Sequence, residues 1–205
     1  MLDSQGFDLW ADGYDESVGL SDEENSYPFA GYKRVLGTIY AEAMKKPGAS
    51  VLDLGFGTGT LTAKLYERGF SIFGQDFSPR MAELAGEKMP EAFLYTGDFS
   101  KGLAEPLTRE RYDLIIATYS LHHLDDAQKA ALIRTLLGLL NEGGEILIGD
   151  VAFSTRAELE ACREQAGDGW DEDESYFVVD ELKACFPNLT FEKASFCAGV
   201  ITIKK

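Results

Sequence analysis

Basic residues are scarce in this chain of 205 residues, which has 19 lysines and arginines against 35 aspartates and glutamates. The formal net charge of −16 predicts a surface that repels phosphate backbones and anionic membranes. This balance argues against nucleic-acid and membrane partners. It favours a small molecule as the substrate.

Long apolar runs are also absent, and the chain has only three cysteines and two histidines. No stretch approaches the length of a membrane-spanning helix, and the acidic N-terminal segment does not resemble a secretory signal. The cysteines Cys162, Cys185 and Cys197 have no metal-binding spacing, so we expect free thiols in a reducing compartment and no metal site. These absences predict a cytoplasmic protein. We expect it to act as a monomer or a homodimer.

Strand and helix patterns alternate from residue 50 onward, which is typical of a parallel sheet with helices on both faces. The predicted strands cover 50–54, 71–75, 92–96, 112–118 and 145–151. The predicted helices lie near 60–69, 78–89, 125–141, 155–166 and 179–186. The last two strands, near 189–196 and 199–204, predict an antiparallel hairpin. The fold class is therefore α/β, Rossmann-like and doubly wound, with a mostly parallel seven-stranded sheet.

Two amphipathic stripes precede the first strand and predict an N-terminal helical cap over residues 1–48. The first stripe contains Phe7, Trp10 and Tyr14, and an acidic segment follows it. The second runs from Tyr32 to Ala43, after a helix-start signal at Ser26 and Pro28. We expect one domain over residues 1–205, with residues 49–205 as the Rossmann-like core and the first cap helix as a mobile lid.

A glycine-rich turn at Gly55, Gly57 and Gly59 follows the first predicted strand. Glycines let the backbone pass close to a ligand, and the N-terminus of the next helix offers unpaired N–H groups there. Asp76 ends the second strand, where a carboxylate can accept both hydroxyl protons of a ribose. Together these residues predict a nucleoside-binding site.

The glycine spacing indicates which nucleoside binds. A dinucleotide fold uses G-x-G-x-x-G, whereas this chain has G-x-G-x-G with Thr60 in place of the last glycine. With Asp53 before it, the motif resembles that of the class I S-adenosylmethionine-dependent methyltransferases. That resemblance implies S-adenosylmethionine as the cofactor. It gives Asp53 a role in ordering the turn, or in reaching the amino group of the methionine part through water.

The resemblance extends to the ends of the next strands, where ligands of such sheets bind. Gly97, Asp98 and Phe99 match the family pattern in which the acid accepts from the adenine amino group and its neighbour supports the ring. Taken alone, Asp98 also suits a simple turn residue. The remaining strand-end positions predicted to contact the cofactor are Phe77, Thr118 and Tyr119.

His122 and His123 follow the fourth strand, where a methyl acceptor would approach. A neutral imidazole there can take the proton that a hydroxyl, thiol or amine releases on methylation. The alternative is that one histidine packs structurally and starts the following helix. Tyr14 has a similar alternative between a hydroxyl at the mouth of the site and plain core. These three residues are the catalytic candidates.

The segments Trp10 to Asp15 and Thr118 to Leu124 are similar to those of small bacterial methyltransferases of the YrrT type. The predicted function is S-adenosylmethionine-dependent transfer of a methyl group to a small-molecule acceptor. A non-catalytic, regulatory S-adenosylmethionine-binding protein of the same fold is the alternative. The motif of amino-methylating DNA enzymes is absent after strand four. Catechol-type enzymes have a magnesium-binding acid at that position, whereas this chain has Tyr119.

Overall fold

The computed structural model describes residues 26–205. In this part of the chain the helices are α1 (Tyr32–Ala43), α2 (Thr62–Tyr66), α3 (Pro79–Lys88), α4 (Glu105–Arg109), α5 (Asp126–Leu139), α6 (Arg156–Ala166) and α7 (Val179–Leu182). The strands are β1 (Ser50–Leu54), β2 (Ser71–Asp76), β3 (Phe93–Thr96), β4 (Tyr112–Thr118), β5 (Leu140–Phe153), β6 (Phe177–Val178), β7 (Thr190–Lys193) and β8 (Ala198–Lys204). The predicted first cap helix, with Phe7, Trp10 and Tyr14, and the acidic segment after it lie outside the described residues.

The main sheet has the strand order β3-β2-β1-β4-β5-β8-β7. Its first five strands are parallel, and the chain changes direction across the sheet between β1 and β4. Ligands of doubly wound sheets bind at such a switch point, beyond the carboxyl ends of the strands. The topology therefore gathers the ends of β1, β2 and β4 around one site.

The C-terminal hairpin is confirmed, because β7 pairs antiparallel with β8 and β8 pairs antiparallel with β5. The seven strands of this path are the seven predicted ones. The described residues add an eighth, β6, whose two residues pair in parallel with the end of β5. So short a strand has no periodicity for a sequence pattern to detect.

The core lies in two layers, one on each face of the sheet. On one face α1 buries Val35 and Ile39 against β5. A side chain on Gly149 would lie 2.3 Å from Val35 Cγ1, so this glycine lets the helix approach the strand closely. On the other face α5 begins at a capping box formed by Asp125 and Gln128 and buries its leucines.

Several predicted boundaries need correction. The helix α1 spans the predicted stripe, but it does not begin at the start signal of Ser26 and Pro28, because residues 27–31 form a turn that ends in Gly31 with a φ of 79°. The helix α5 stops at Leu139 and not at 141, because Leu140 already pairs with Tyr112 as strand. Helix α4 was not predicted, since one turn is too short to show a helical stripe. Within residues 26–205, the longest apolar helical stretch falls short of what crossing a membrane requires.

Candidate active site

One cavity of about 410 Å³ opens at the carboxyl ends of β1, β2 and β4. Most of the residues predicted for the site line it, namely Gly55, Gly57, Asp76, Phe77, Asp98, Phe99, Thr118, Tyr119, His122 and His123. The fold thus brings together residues from the ends of four separate strands. Tyr14, the remaining catalytic candidate, lies outside the described residues.

The glycine turn requires its glycines for two different reasons. All three have positive φ, which disfavours other residues. A Cβ on Gly55 would lie 2.3 Å from Ser120 Cβ, so this glycine lets the turn pack against the end of β4. A Cβ on Gly57 would meet no atom of residues 26–205 within 4 Å, and Gly57 lines the cavity. Gly57 therefore leaves room for a ligand.

Two glycines predicted to contact the cofactor do not line the cavity. A Cβ on Gly59 would approach Met89 and Ala85, at 3.0 and 3.4 Å, so this glycine allows close packing against α3 and its end. A Cβ on Gly97 would lie 3.2 Å from the side-chain nitrogen of Gln75. The structure therefore assigns packing roles to both.

Asp76 is fixed by backbone donors on both sides of the site. Its Oδ2 accepts a hydrogen bond from the Gly57 N–H at 2.8 Å, and its Oδ1 accepts from the Ser78 N–H at 2.9 Å. Ser78 is itself the N-cap of α3. The carboxylate thus joins the glycine turn to the start of α3, while remaining part of the cavity wall.

Asp53 lies deeper than predicted, 1% exposed, beside a smaller cavity of about 20 Å³ that shares Gly55, Gly57 and Thr118 with the larger one. Its Oδ2 accepts from Thr62 Oγ1 at 2.7 Å, while its Oδ1 has no hydrogen-bond partner within residues 26–205. Burial raises the pKa of Asp53 to about 7, and the nearby charge of Asp76 adds to the rise. An unpartnered, buried carboxylate oxygen suits a cationic ligand group.

Asp98 forms the side of the site that follows β3. Its Oδ1 accepts from the Ser100 N–H at 2.9 Å, and Lys101 Nζ lies 3.0 Å from its Oδ2. Although partial burial opposes the effect, the hydrogen bonds from Ser100 and Lys101 hold the pKa of Asp98 below its usual value. The residue is therefore an ionised acceptor at the cavity wall, next to the ring of Phe99.

Tyr119 forms part of the wall at the end of β4. Its φ of 50° is unusual for a residue other than glycine, and its N–H donates to the Gly149 carbonyl at 2.8 Å. The rings of Phe29 and Tyr32 pack against it at 5.3 and 5.1 Å between centroids. Phe29 also lines the cavity and was not predicted, because the turn that carries it shows no periodic pattern.

His122 is held by a buried carboxylate. Its Nδ1 lies 2.6 Å from Asp150 Oδ1, and Asp150 also accepts from the Leu121 and Val151 N–H groups. Burial opposes protonation of His122, but Asp150 and Glu174 outweigh it and raise the pKa of the imidazole. Asp150 lies within β5 and orients this ring through its hydrogen bond to Nδ1.

His123 stands next to His122, with ring centroids 4.3 Å apart in an edge-on arrangement. Burial and the neighbouring His122 lower the pKa of His123 to about 4, so its imidazole is neutral at neutral pH. Both histidines face one carboxylate oxygen. Glu174 Oε1 lies 3.5 Å from His122 Nε2 and 3.9 Å from His123 Nδ1.

Glu174 is the main site residue that the sequence did not indicate. Its acidic segment, 168–174, has a composition typical of an exposed loop, yet Glu174 is half-buried and lines the cavity with Asp171 and Asp173. Its Oε2 accepts from Tyr176 Oη at 2.7 Å, and Tyr176 Oη also bonds Tyr27 Oη. The segment is tied to the histidines, because the Ser175 N–H donates to the His122 carbonyl at 2.8 Å.

Comparison with known proteins gives a consistent set of relatives. The family model described as "Methyltransferase domain" matches residues 51–144. An uncharacterized methyltransferase of Geobacillus thermodenitrificans (strain NG80-2) is 40% identical over 193 residues, which cover 90% of this chain and 86% of the relative. One of Alkaliphilus oremlandii (strain OhILAs) is 32% identical over 181 residues, covering 88% and 80%.

Solved structures share the fold at low sequence identity. The structure titled "DhpI-SAM-HEP complex" superposes with a TM-score of 0.70 at 17% identity, covering 98% of this chain and 96% of that one. Magnesium protoporphyrin IX methyltransferase (ChlM) from Synechocystis PCC 6803, with bound SAH, gives a TM-score of 0.67 at 17% identity, covering 86% and 84%. The Rossmann-like fold predicted from the sequence is confirmed by these likenesses.

Proposed function

This chain belongs to the family of S-adenosylmethionine-dependent methyltransferases, and on that premise we propose that it methylates a small-molecule acceptor. The observation that carries the proposal is a cavity whose two sides are lined by different kinds of residue. The residues after β1, β2 and β3 suit a nucleoside cofactor, whereas those after β4 and β5 offer histidines and carboxylates.

The cofactor side fits S-adenosylmethionine in shape and in charge. The open space beside Gly57 admits a ligand against the turn. The carboxylate of Asp76 suits ribose hydroxyls, and the ionised Asp98 suits an adenine amino group. The unpartnered Oδ1 of Asp53 suits the ammonium of the methionine part, reached through the smaller cavity. Phe77 and Phe99 supply apolar wall.

When bound, S-adenosylmethionine supplies a methyl group on a sulfonium, which the acceptor displaces in one in-line step. The contribution of the protein is to align the acceptor and to exclude water. Tyr119, packed under Phe29 and Tyr32, forms the apolar wall beside the glycine turn. His122, fixed by Asp150, and His123 are the polar groups that contact the acceptor in this proposal.

The small volume of the cavity supports a small acceptor. A cavity of about 410 Å³ lies at the lower end of the range of roughly 300–1,000 Å³ for small-molecule sites, and it must hold two ligands at once. The net charge of −16 supplies no attraction for a nucleic-acid backbone. The non-catalytic alternative is not favoured, since the relatives are methyltransferases.

Thermal unfolding with S-adenosylmethionine, S-adenosylhomocysteine or NAD added separately tests cofactor choice. A ligand of the native state raises the melting temperature by mass action, so we expect both adenosyl compounds, and not NAD, to do so. Stabilisation by NAD alone would contradict S-adenosylmethionine as the cofactor. Transfer of a labelled methyl group to members of a small-molecule panel, with no transfer to tRNA or DNA, then tests the acceptor class.

A further inference from the structure

We propose that His122, His123 and Glu174 form a binding site for one divalent transition-metal ion on the acceptor side of the cavity. The ligand atoms of the three residues lie within 4.8 Å of one another. Two imidazoles and a carboxylate form a donor set that suits zinc, iron, cobalt and related ions. Sequence analysis expected no metal site on the grounds of the cysteine spacing. Glu174 is far from the histidines along the chain, so no motif links the three residues.

The separations of the ligand atoms suit a shared ion. Metal–ligand bonds of about 2.1 Å place two ligands of one ion roughly 3–4 Å apart. Glu174 Oε1 is already at that separation from His122 Nε2 and from His123 Nδ1, at 3.5 and 3.9 Å. The ligand nitrogens of the two histidines lie within 4.8 Å of each other, and the His123 side chain is 29% exposed.

The groups behind these ligands orient them as in known metal sites. Metal-binding histidines usually donate the other ring N–H to a carboxylate or a carbonyl, and ligating carboxylates are hydrogen-bonded in turn. Asp150 bonds His122 Nδ1 and leaves Nε2 directed toward Glu174. Tyr176 bonds Glu174 Oε2 and leaves Oε1 directed toward the histidines. Both ligands are therefore held in place before any ion binds.

Three protein ligands leave coordination positions open, and all three residues line the cavity. If the chain methylates a small acceptor as proposed above, the ion would bind the hydroxyl, carboxylate or thiol of that acceptor and favour its ionised form. This role rests on the proposed function. The metal site itself rests only on the geometry of His122, His123 and Glu174.

Metal binding is best measured on untagged protein carrying Cys185→Ser. Cys185 is an exposed thiol that would bind soft ions, whereas Cys162 and Cys197 are buried. Calorimetry with Zn²⁺ is expected to show one site per chain. Co²⁺ is expected to give visible absorption bands of a low-coordinate site with nitrogen and oxygen ligands.

Glu174→Gln and His123→Gln test the ligands, because both side chains are partly exposed and their loss is compatible with folding. Each is expected to weaken Zn²⁺ binding by at least roughly tenfold, in line with the effect of losing a supporting ligand. Asp171→Asn is the matched control, because it removes the same charge from the same loop and is expected to change the affinity less than about threefold. A wild-type chain without one-site binding, or equal affinity in Glu174→Gln and wild type, overturns the proposal. In that case Glu174 and the histidines form only an ion pair.

S-adenosylhomocysteine titrated into the same samples separates this proposal from the proposed function. Its binding is expected to be unchanged in Glu174→Gln and His123→Gln, which also shows that they are folded. Loss of metal binding with intact S-adenosylhomocysteine binding is the expected result for both variants. If the wild-type protein binds the metal but not S-adenosylhomocysteine, the proposed function is contradicted and the proposed metal site is supported.

Discussion

At the scale of single residues, the burial of Asp53 makes the stability of the fold depend on pH. Its carboxylate is buried, and one oxygen has no partner within residues 26–205. Its pKa of about 7 exceeds the unfolded value near 3.8, so between about pH 4 and pH 7 the folded state keeps a proton that the unfolded state loses. Stability therefore falls as the pH rises through this window, and the loss is complete above pH 7.

Asp53→Asn is expected to remove this pH dependence. Between pH 5.5 and pH 8 the wild type should lose about 2 kcal/mol of unfolding free energy relative to the variant, from 1.36 kcal/mol per pH unit of protonation. Urea unfolding of both proteins at the two pH values measures the difference. Because all other titrating groups are shared, parallel pH profiles of the two proteins would show that Asp53 is not the source.

Asp76→Ala is expected to weaken S-adenosylhomocysteine binding by at least tenfold. A hydrogen bond to a charged group contributes about 1.5–3 kcal/mol, and tenfold corresponds to about 1.4 kcal/mol. Calorimetry measures the affinity. Asp76 also holds the Gly57 and Ser78 N–H groups, so Asp76→Asn, which keeps an acceptor oxygen, serves as the control for the turn. An unchanged dissociation constant in the alanine variant would mean that the ribose is bound elsewhere.

Sequence patterns predict the residues that follow each strand, because the position of a strand end in a doubly wound sheet determines where its side chains lie. Asp76, Asp98 and His122 were predicted in this way and line the cavity. Glu174 was not, because it comes from an acidic segment whose composition indicates exposure. Its position depends on Tyr176 and on the backbone of His122, and no local pattern encodes those contacts.

At the scale of elements, the turn between β1 and α2 combines packing and ligand binding in glycines two positions apart. Gly55 contacts the loop after β4, while Gly57 opens into the cavity. The motif alone does not separate these roles, because the sequence shows only that each position is glycine and not whether packing or a ligand requires it. The distances to a hypothetical Cβ separate them.

Alanine substitutions at the two glycines are therefore expected to have different effects. Gly55→Ala should lower the melting temperature by many degrees, because its Cβ would lie 2.3 Å from Ser120 Cβ. Gly57→Ala should cost only about 1 kcal/mol of backbone strain but should abolish S-adenosylhomocysteine binding. Thermal unfolding and calorimetry on both variants measure the two effects. Equal loss of stability in both variants would contradict the division of roles.

Element boundaries were less predictable than element types, and β5 shows the reason. Its predicted range was 145–151, but it extends over Leu140–Phe153 and pairs with three strands along its length. The extension at Leu140 depends on Tyr112, whose pairing shifts in register before Leu114. Such pairing depends on residues distant in sequence, which periodicity within one segment does not show.

At the scale of the whole molecule, the excess of acidic residues governs which partners the chain attracts. We expect no saturable binding to tRNA at physiological ionic strength, because binding to a phosphate backbone depends on releasing its counterions to a basic surface. Filter binding or fluorescence anisotropy at two salt concentrations measures this. Saturable binding that weakens steeply with salt would reveal a local basic patch and contradict the small-molecule proposal.

The pairing of β5 with β8 also affects how the protein is made. One partner of β5 is β8, and their ladder runs from the pair Glu145 and Lys204 to the pair Val151 and Ala198. Within residues 26–205, β8 is synthesised after the other seven strands. Asp150, which orients His122, pairs with Gly199 in this ladder. On the ribosome, β1, β2 and β3 can therefore pair before β8 emerges, whereas the ladder that holds Asp150 waits for β8. A nascent chain stalled before β8 should already be compact around β1 and β2, yet remain open to proteases at β5.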